Sequence, residues 1–139
     1  MMNEPVSTIM TSDLITLGPN DSLDKVRQLF KEKRIHHLPV VDDNQHLVGL
    51  VTTYDLFKMG KAADEYADIK VSEIMTTKLA KLEPTAKVGT AAEIFLENLF
   101  HALPIVDNEK LIGIVTTFDI LRYEFRKEYP SSDHGALPK

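Results

Sequence analysis

The chain has 139 residues, 43% of them apolar and 27% charged, a size and composition that predict one compact globular domain or two very small ones in contact. Its net charge is −5, made of −4 (7 − 11) over residues 1–69 and −1 (9 − 10) over residues 70–139, which speaks against a large nucleic-acid footprint. The absence of cysteine excludes disulfides, thiolate metal sites and a cysteine nucleophile, and the apolar runs are too short to span a membrane.

In chain order, the opening Met-Met-Asn-Glu-Pro has neither the basic start nor the apolar core of a signal peptide, so a cytoplasmic location is expected. Leu14-Ile15-Thr16-Leu17 reads as a short strand closed by the turn Gly18-Pro19-Asn20-Asp21. Asp21 or Ser22 can cap the helix that follows, in which Leu23, Val26, Leu29 and Phe30 recur at helical spacing as far as Arg34. His37–Val41 is a strand whose Pro39 belongs near its start or on an edge. After a turn at 42–45, Leu47–Val51 is an almost continuously apolar strand, expected to be buried on both faces. Thr52 or Thr53 then starts a second helix running toward Gly60.

The same pattern returns. Shifted by 65, Val6–Asp42 falls on Val71–Asp107 with 15 of 37 pairs identical. Shifted by 64, Leu47–Leu56 falls on Leu111–Ile120 with six of ten identical. The chain is a tandem duplication of a strand–helix–strand–strand–helix unit, one too small to bury its own sheet, so the two copies should pack about a pseudo-twofold axis. The expected division is residues 6–60 and 71–128 for the repeats, 61–70 for a linker, and 129–139 for a flexible tail.

Three motifs occur twice, in order: Ser-x-Ile-Met-Thr (Ser7–Thr11, Ser72–Thr76), His-x-Leu-Pro-apolar-Val-Asp, and Gly-apolar-apolar-Thr-x-x-Asp. Together they resemble the cystathionine β-synthase (CBS) domain, and the tandem pair resembles a Bateman module. The resemblance implies an α/β fold of two β-α-β-β-α CBS repeats. It also implies a non-catalytic regulatory module that binds AMP, ADP or ATP, with S-adenosylmethionine possible, in clefts between the repeats. Association into a homodimer and action on a separate effector enzyme or transporter are further implications.

The residues themselves suggest where such a ligand would sit. Thr52 and Thr116 each follow a buried strand and start a helix, where unpaired N–H groups and a hydroxyl favour phosphate. Asp55 and Asp119, three residues on, can accept both hydrogen bonds of a ribose diol. The plain alternative is that Thr and Asp only cap their helices, and the two roles are compatible. Arg34, His36 and His37 concentrate donors just before a strand, whereas the second repeat keeps only His101. These are the phosphate-binding candidates, the alternative being a solvated helix end. The resemblance sets each Asp against the His-x-Leu-Pro segment of the other repeat. The Asp119 cleft should then be the more electropositive of two unequal sites. Candidate walls for the base are Ile15, Thr16, Ile35, Pro39 and Val51, with Ala80, Lys81, Phe100, Pro104 and Val115 in the other copy.

No metal site is expected, because His36 and His37 would point to opposite faces of a strand and no His-x3-His spacing exists. Nor is there a nucleophile elbow, a Walker loop or a dinucleotide fingerprint. Ala92, Leu96 and Leu99 form a second apolar stripe where the first repeat has Arg27, Lys31 and Arg34. That stripe either contacts a second copy of the chain or is covered from within by Ile120, Leu121 and Phe125.

Overall fold

A computed structural model of the chain describes residues 2–60, 63–98 and 100–130. Helix α1 (Leu23–Lys33) starts at Ser22, whose hydroxyl accepts from Lys25 N; Asp21 instead accepts from Gly18 N at 2.7 Å. The helix buries Leu23 and Val26 and lays Leu29 and Phe30 against the same core. It stops where Arg34 turns left-handed, at φ 53°. Strands β1 (His37–Val41) and β2 (Leu47–Thr52) pair antiparallel, and α2 (Thr53–Met59) follows at once, ending on Gly60 at φ 64°. The second copy repeats this as α3 (Val88–Asn98), β3 (Ala102–Asp107), β4 (Lys110–Thr116) and α4 (Thr117–Glu128). The architecture is α/β, with a two-stranded sheet in each repeat.

The strand expected over Leu14–Leu17 shrinks to one residue, and proline is the reason. Leu17 N donates to Pro39 O at 2.9 Å, and Val41 N donates to Leu17 O at 2.8 Å. The next bond of this parallel ladder needs an N–H at residue 39, which proline lacks. Leu82 repeats the pattern on Pro104 and Val106, at 3.0 and 2.8 Å. Ile15 and Ala80 are therefore left outside the sheets.

The two repeats exchange their leading segments. Val6, Ile9 and Met10 pack into the second core with Ala91, Phe95, Leu103, Ile105 and Val115. Val71, Ile74 and Met75 pack into the first, with Leu17, Leu23, Leu38 and Val51. Thr11 and Ile114 trade main-chain bonds at 2.9 and 3.0 Å, and Thr76 does the same with Leu50. The glycines of the Gly-apolar-apolar-Thr motif allow this approach. A Cβ on Gly113 would overlap the sulfur of Met10 and meet its Cγ at 2.9 Å; one on Gly49 would meet Met75 in the same way. The Ser-x-Ile-Met-Thr motif of each copy thus completes the other copy's core.

The segment expected as a linker carries structure too. Ala63–Asp68 forms a 3-10 turn that buries Tyr66 in the first core, and Leu23 N donates to Ile69 O at 3.0 Å. On α3, Leu96 is 81% exposed, so Ile120, Leu121 and Phe125 do not cover it; Ala92 is half-buried and Leu99 lies outside the described residues. Residues 131–139, most of the expected tail, also lie outside them. Among the described residues no helix is long and apolar enough to cross a membrane.

Candidate functional site

Each Gly-apolar-apolar-Thr-x-x-Asp motif runs from a buried strand into the first turn of a helix, and both build a reciprocal cap. Thr52 Oγ1 accepts from Asp55 N at 3.2 Å while Asp55 Oδ2 accepts from Thr52 N at 2.8 Å. Thr116 and Asp119 make the same pair of bonds at 3.2 and 2.9 Å, and the Thr116 hydroxyl adds a third to Asp119 Oδ2 at 3.1 Å. Both aspartates are 4% exposed. Two carboxylates buried this deeply need compensation, which the caps and one cation each provide. The cations differ between the copies. Lys58 Nζ lies 3.5 Å from Asp55 Oδ1 and is well exposed, whereas Arg122 Nη2 lies 2.6 Å from Asp119 Oδ1 with its side chain 10% exposed.

Between the repeats lies a cleft of about 1080 Å³. Thr116 and Asp119 line it from the second repeat, and Arg34, His36 and His37 line it from the first. The juxtaposition expected across the repeats is therefore present for this pair of segments. Ile15, Ile35, Pro39 and Phe100 give it apolar wall, and Thr52 and His101 also reach it.

Other expected residues lie elsewhere. Asp55 is absent from the wall of this cleft, and Ala80, Lys81 and Pro104, candidates for the mirror-image cleft, are not on it. Val51 and Val115 are corrections to the expected base wall: both are fully buried in the two cores. Side chains alternate along a strand, so Leu50, Thr52, Ile114 and Thr116 face the cleft and the intervening valines face away. Ala80 packs on the second core, Pro104 is buried in β3, Lys81 is exposed, and Thr16 is half-buried off the wall.

Several wall residues were not foreseen. Thr11, Asp13 and Leu14 arrive because the leading segment crosses to the other repeat. Tyr54, Phe118 and Arg122 arrive because the first turns of α2 and α4 flank the cleft. A helical projection from Asp119 would have found Arg122, three residues on.

The charge in the cleft is not what three basic residues suggest. Burial pushes the His37 imidazolium down to about 4, helped by His36 and His101 and opposed by Asp55. His37 is therefore a neutral hydrogen-bonding group at neutral pH. The permanent cations on the wall are Lys33, Arg34 and Arg122, with Asp13 and Asp119 opposing them. In the second repeat Asn98 and Ala102 replace Lys33 and His37, so the two halves of the molecule are electrostatically unequal. Among the described residues no group of three His, Asp or Glu side chains is placed to hold a metal ion.

Comparison with known proteins agrees with this geometry. The family model for the CBS domain matches residues 6–61 and 71–126. The uncharacterized protein MJ1404 of Methanocaldococcus jannaschii is 36% identical over an alignment 136 positions long, which covers 88% of this chain and 32% of that protein. The chain thus spans about a third of that relative's length. Among solved structures, Arabidopsis thaliana CBSX2 in complex with AMP superposes with a TM-score of 0.80 at 32% identity, covering 90% of this chain and 98% of that one. The CBS domain pair of MJ0100, in complex with 5′-methylthioadenosine and S-adenosyl-L-methionine, gives 0.76 at 29% identity, covering 88% and 97%. The doubled motifs, the paired sheets and the two family matches have one conclusion: the chain belongs to the CBS domain family, as a tandem pair of CBS domains.

Proposed function

We propose that this chain is a non-catalytic regulatory module that binds an adenosine nucleotide (AMP, ADP or ATP) in the Asp119 cleft and reports its occupancy to a separate effector enzyme or transporter. The observation that carries the reading is the convergence of Thr116 and Asp119 with Arg34, His36 and His37 on one cleft of about 1080 Å³. Asp119 accepts the ribose diol. Arg34, the Thr116 hydroxyl and the N-terminus of α4 receive phosphate, with His36, His37 and His101 as further donors. Ile15, Ile35, Pro39 and Phe100 take the base. The AMP held by CBSX2 and the adenosine derivatives held by the MJ0100 pair support the ligand class. Such a ligand touches both repeats, so binding favours one relative arrangement of them, which a partner in the cytoplasm can read.

A second reading, a dimerising scaffold with vestigial clefts, is favoured by one observation. Tyr54 and Phe57 on α2, and their repeat-mates Phe118 and Leu121 on α4, are large apolar side chains left in solvent, Phe57 at 84% exposure. Large apolar side chains exposed at matching positions of both repeats are candidates for contact with a partner. We assign this face to a second copy of the chain, which makes the module a homodimer, and prefer it to the α3 stripe because both helices contribute to it. A thermal-shift panel of AMP, ADP, ATP, NADH, GTP and S-adenosylmethionine separates the readings. Selective stabilisation by adenosine nucleotides, about 2.7 kcal/mol at one hundred times Kd, supports the sensor. A flat panel leaves the scaffold.

A further inference from the structure

Three imidazoles converge on the Asp119 cleft, and main-chain bonds fix where two of them enter it. His36 O accepts from Thr53 N at 3.1 Å, and its repeat-mate His101 O accepts from Thr117 N at 3.0 Å, so each histidine is tied to the first residue of a helix. His37 stands opposite Thr52 in β1 and has no counterpart, because Ala102 takes its place in the second repeat. All three histidines line the cleft. Burial disfavours a charge on His37, the charges of His36 and His101 add to that, and Asp55 opposes it. The other charged groups facing the cluster are Lys33 and Arg34 at the end of α1, Asp13 on the leading segment, and Asp119 and Arg122 on α4. From α2, Tyr54 reaches the wall, while Asp55 and its partner Lys58 stay off it.

The permanent charges of the wall do not balance a nucleotide. Lys33, Arg34 and Arg122 against Asp13 and Asp119 leave a formal charge of +1, and Arg122 is already paired with Asp119 at 2.6 Å. AMP brings about −2 at neutral pH, and ADP and ATP bring more. The wall groups able to gain charge near neutral pH are the three imidazoles. Imidazoles that act on one another titrate as a set, so any proton they take up belongs to the cluster.

We propose that the proton is a second ligand of the Asp119 cleft: a bound nucleotide draws protons onto the cluster of His36, His37 and His101, and draws more the more phosphates it carries. The sign follows from the charges. A bound anion favours imidazolium, so the complex holds more protons than the free protein, and nucleotide affinity rises as the pH falls. An anion that moves one imidazole's titration up by about one unit near neutral pH brings in about half a proton. A difference of about half a proton between ATP and AMP shifts their affinity ratio toward ATP about threefold for each pH unit of acidification. The module then reads nucleotide charge and pH together. This inference rests on the adenosine-nucleotide reading above.

Calorimetric titration of AMP and of ATP at pH 7, in one buffer of low and one of high ionisation enthalpy, counts the protons, because the apparent enthalpy changes with the buffer in proportion to the uptake. The wild type should take up about half a proton or more with ATP, and less with AMP. Replacing His36, His37 and His101 together by Gln should abolish the uptake. His36→Gln with His101→Gln, both at exposed positions, should lose more than half of it, and carries the test if the triple variant does not fold. His46→Gln, in the turn before β2 and off the cleft wall, should leave it unchanged. Protons released by the nucleotide's own phosphates are common to all these proteins, so the differences belong to the histidines. Saturable binding with an enthalpy indifferent to the buffer, or an uptake that survives the cluster substitutions, overturns the proton linkage and leaves nucleotide binding standing. A wild type that binds neither nucleotide refutes the functional reading, and the proton linkage with it.

Discussion

Acid should loosen this fold through His37. Burial against β2 and the neighbouring histidines hold its pKa at about 4, against an ordinary 6.5. Between those values the unfolded chain binds more protons than the folded one, so stability falls as the pH drops below about 6.5 and this contribution is level above it. Full linkage over the 2.5-unit gap (6.5 − 4) is about 3 kcal/mol, of which about 2 kcal/mol has been lost by pH 5. His37 is half-buried on the cleft wall, and solvent screening reduces that to about 1 kcal/mol. His37→Gln keeps a hydrogen-bonding side chain and removes the titration. Urea unfolding of both proteins at pH 7.5, 6 and 5 isolates the effect, since carboxylates titrate alike in each. The wild type should lose about 1 kcal/mol more than the variant on going from pH 7.5 to 5. A constant offset between the two across that range would refute the assignment of His37 as a neutral, desolvated group.

Two further substitutions probe the architecture. Gly113→Ala should destabilise by about 1–3 kcal/mol in denaturant melts, because the new methyl meets Met10 and, at 3.1 Å, the main-chain oxygen of Thr11, itself bonded to Ile114. The three atoms nearest a Cβ on Gly49 all belong to the side chain of Met75, so Gly49→Ala should cost less; the reverse order would contradict the exchanged-segment account. Phe57→Glu combined with Leu121→Glu should convert a dimer to a monomer in light scattering while the circular dichroism of the folded chain is unchanged, both side chains being exposed in the single chain. An unchanged mass would place the dimer contact elsewhere, with the α3 stripe at Leu96 the next to replace.

Local chemistry is what the sequence exposes well. Ser22 and Gly60 mark helix ends through rules that involve only neighbours in the chain, and the strands at His37 and Leu47 follow from apolar patterning. The pairing of Asp119 with Arg34, His36 and His37 was legible because the repeat and the family resemblance together specify which segments face each other. The exchange of leading segments was not legible. Nothing in the spacing of Met10 says that its partner is Gly113, about one hundred residues away, until the close approach is seen. Val51 and Val115 were misplaced for a related reason, since an unbroken apolar run hides which residues alternate toward the cleft and which toward the core. The neutrality of His37 was hidden too, because it depends on burial and on His101 in the other repeat. The apolar face of α2 and α4 escaped notice for the opposite reason. Tyr54, Phe57, Phe118 and Leu121 look like core residues by type, and only their exposure marks them out.

The central claim is that one cleft, built on Asp119, takes an adenosine nucleotide. Calorimetric titration of AMP into the wild type, Asp119→Ala and Asp55→Ala tests it most directly. The account predicts saturable binding by the wild type, a loss of about tenfold or more in Asp119→Ala through the ribose contacts, and a change within about threefold in Asp55→Ala. Absence of AMP binding by the wild type, or equal losses from the two aspartate variants, would contradict it.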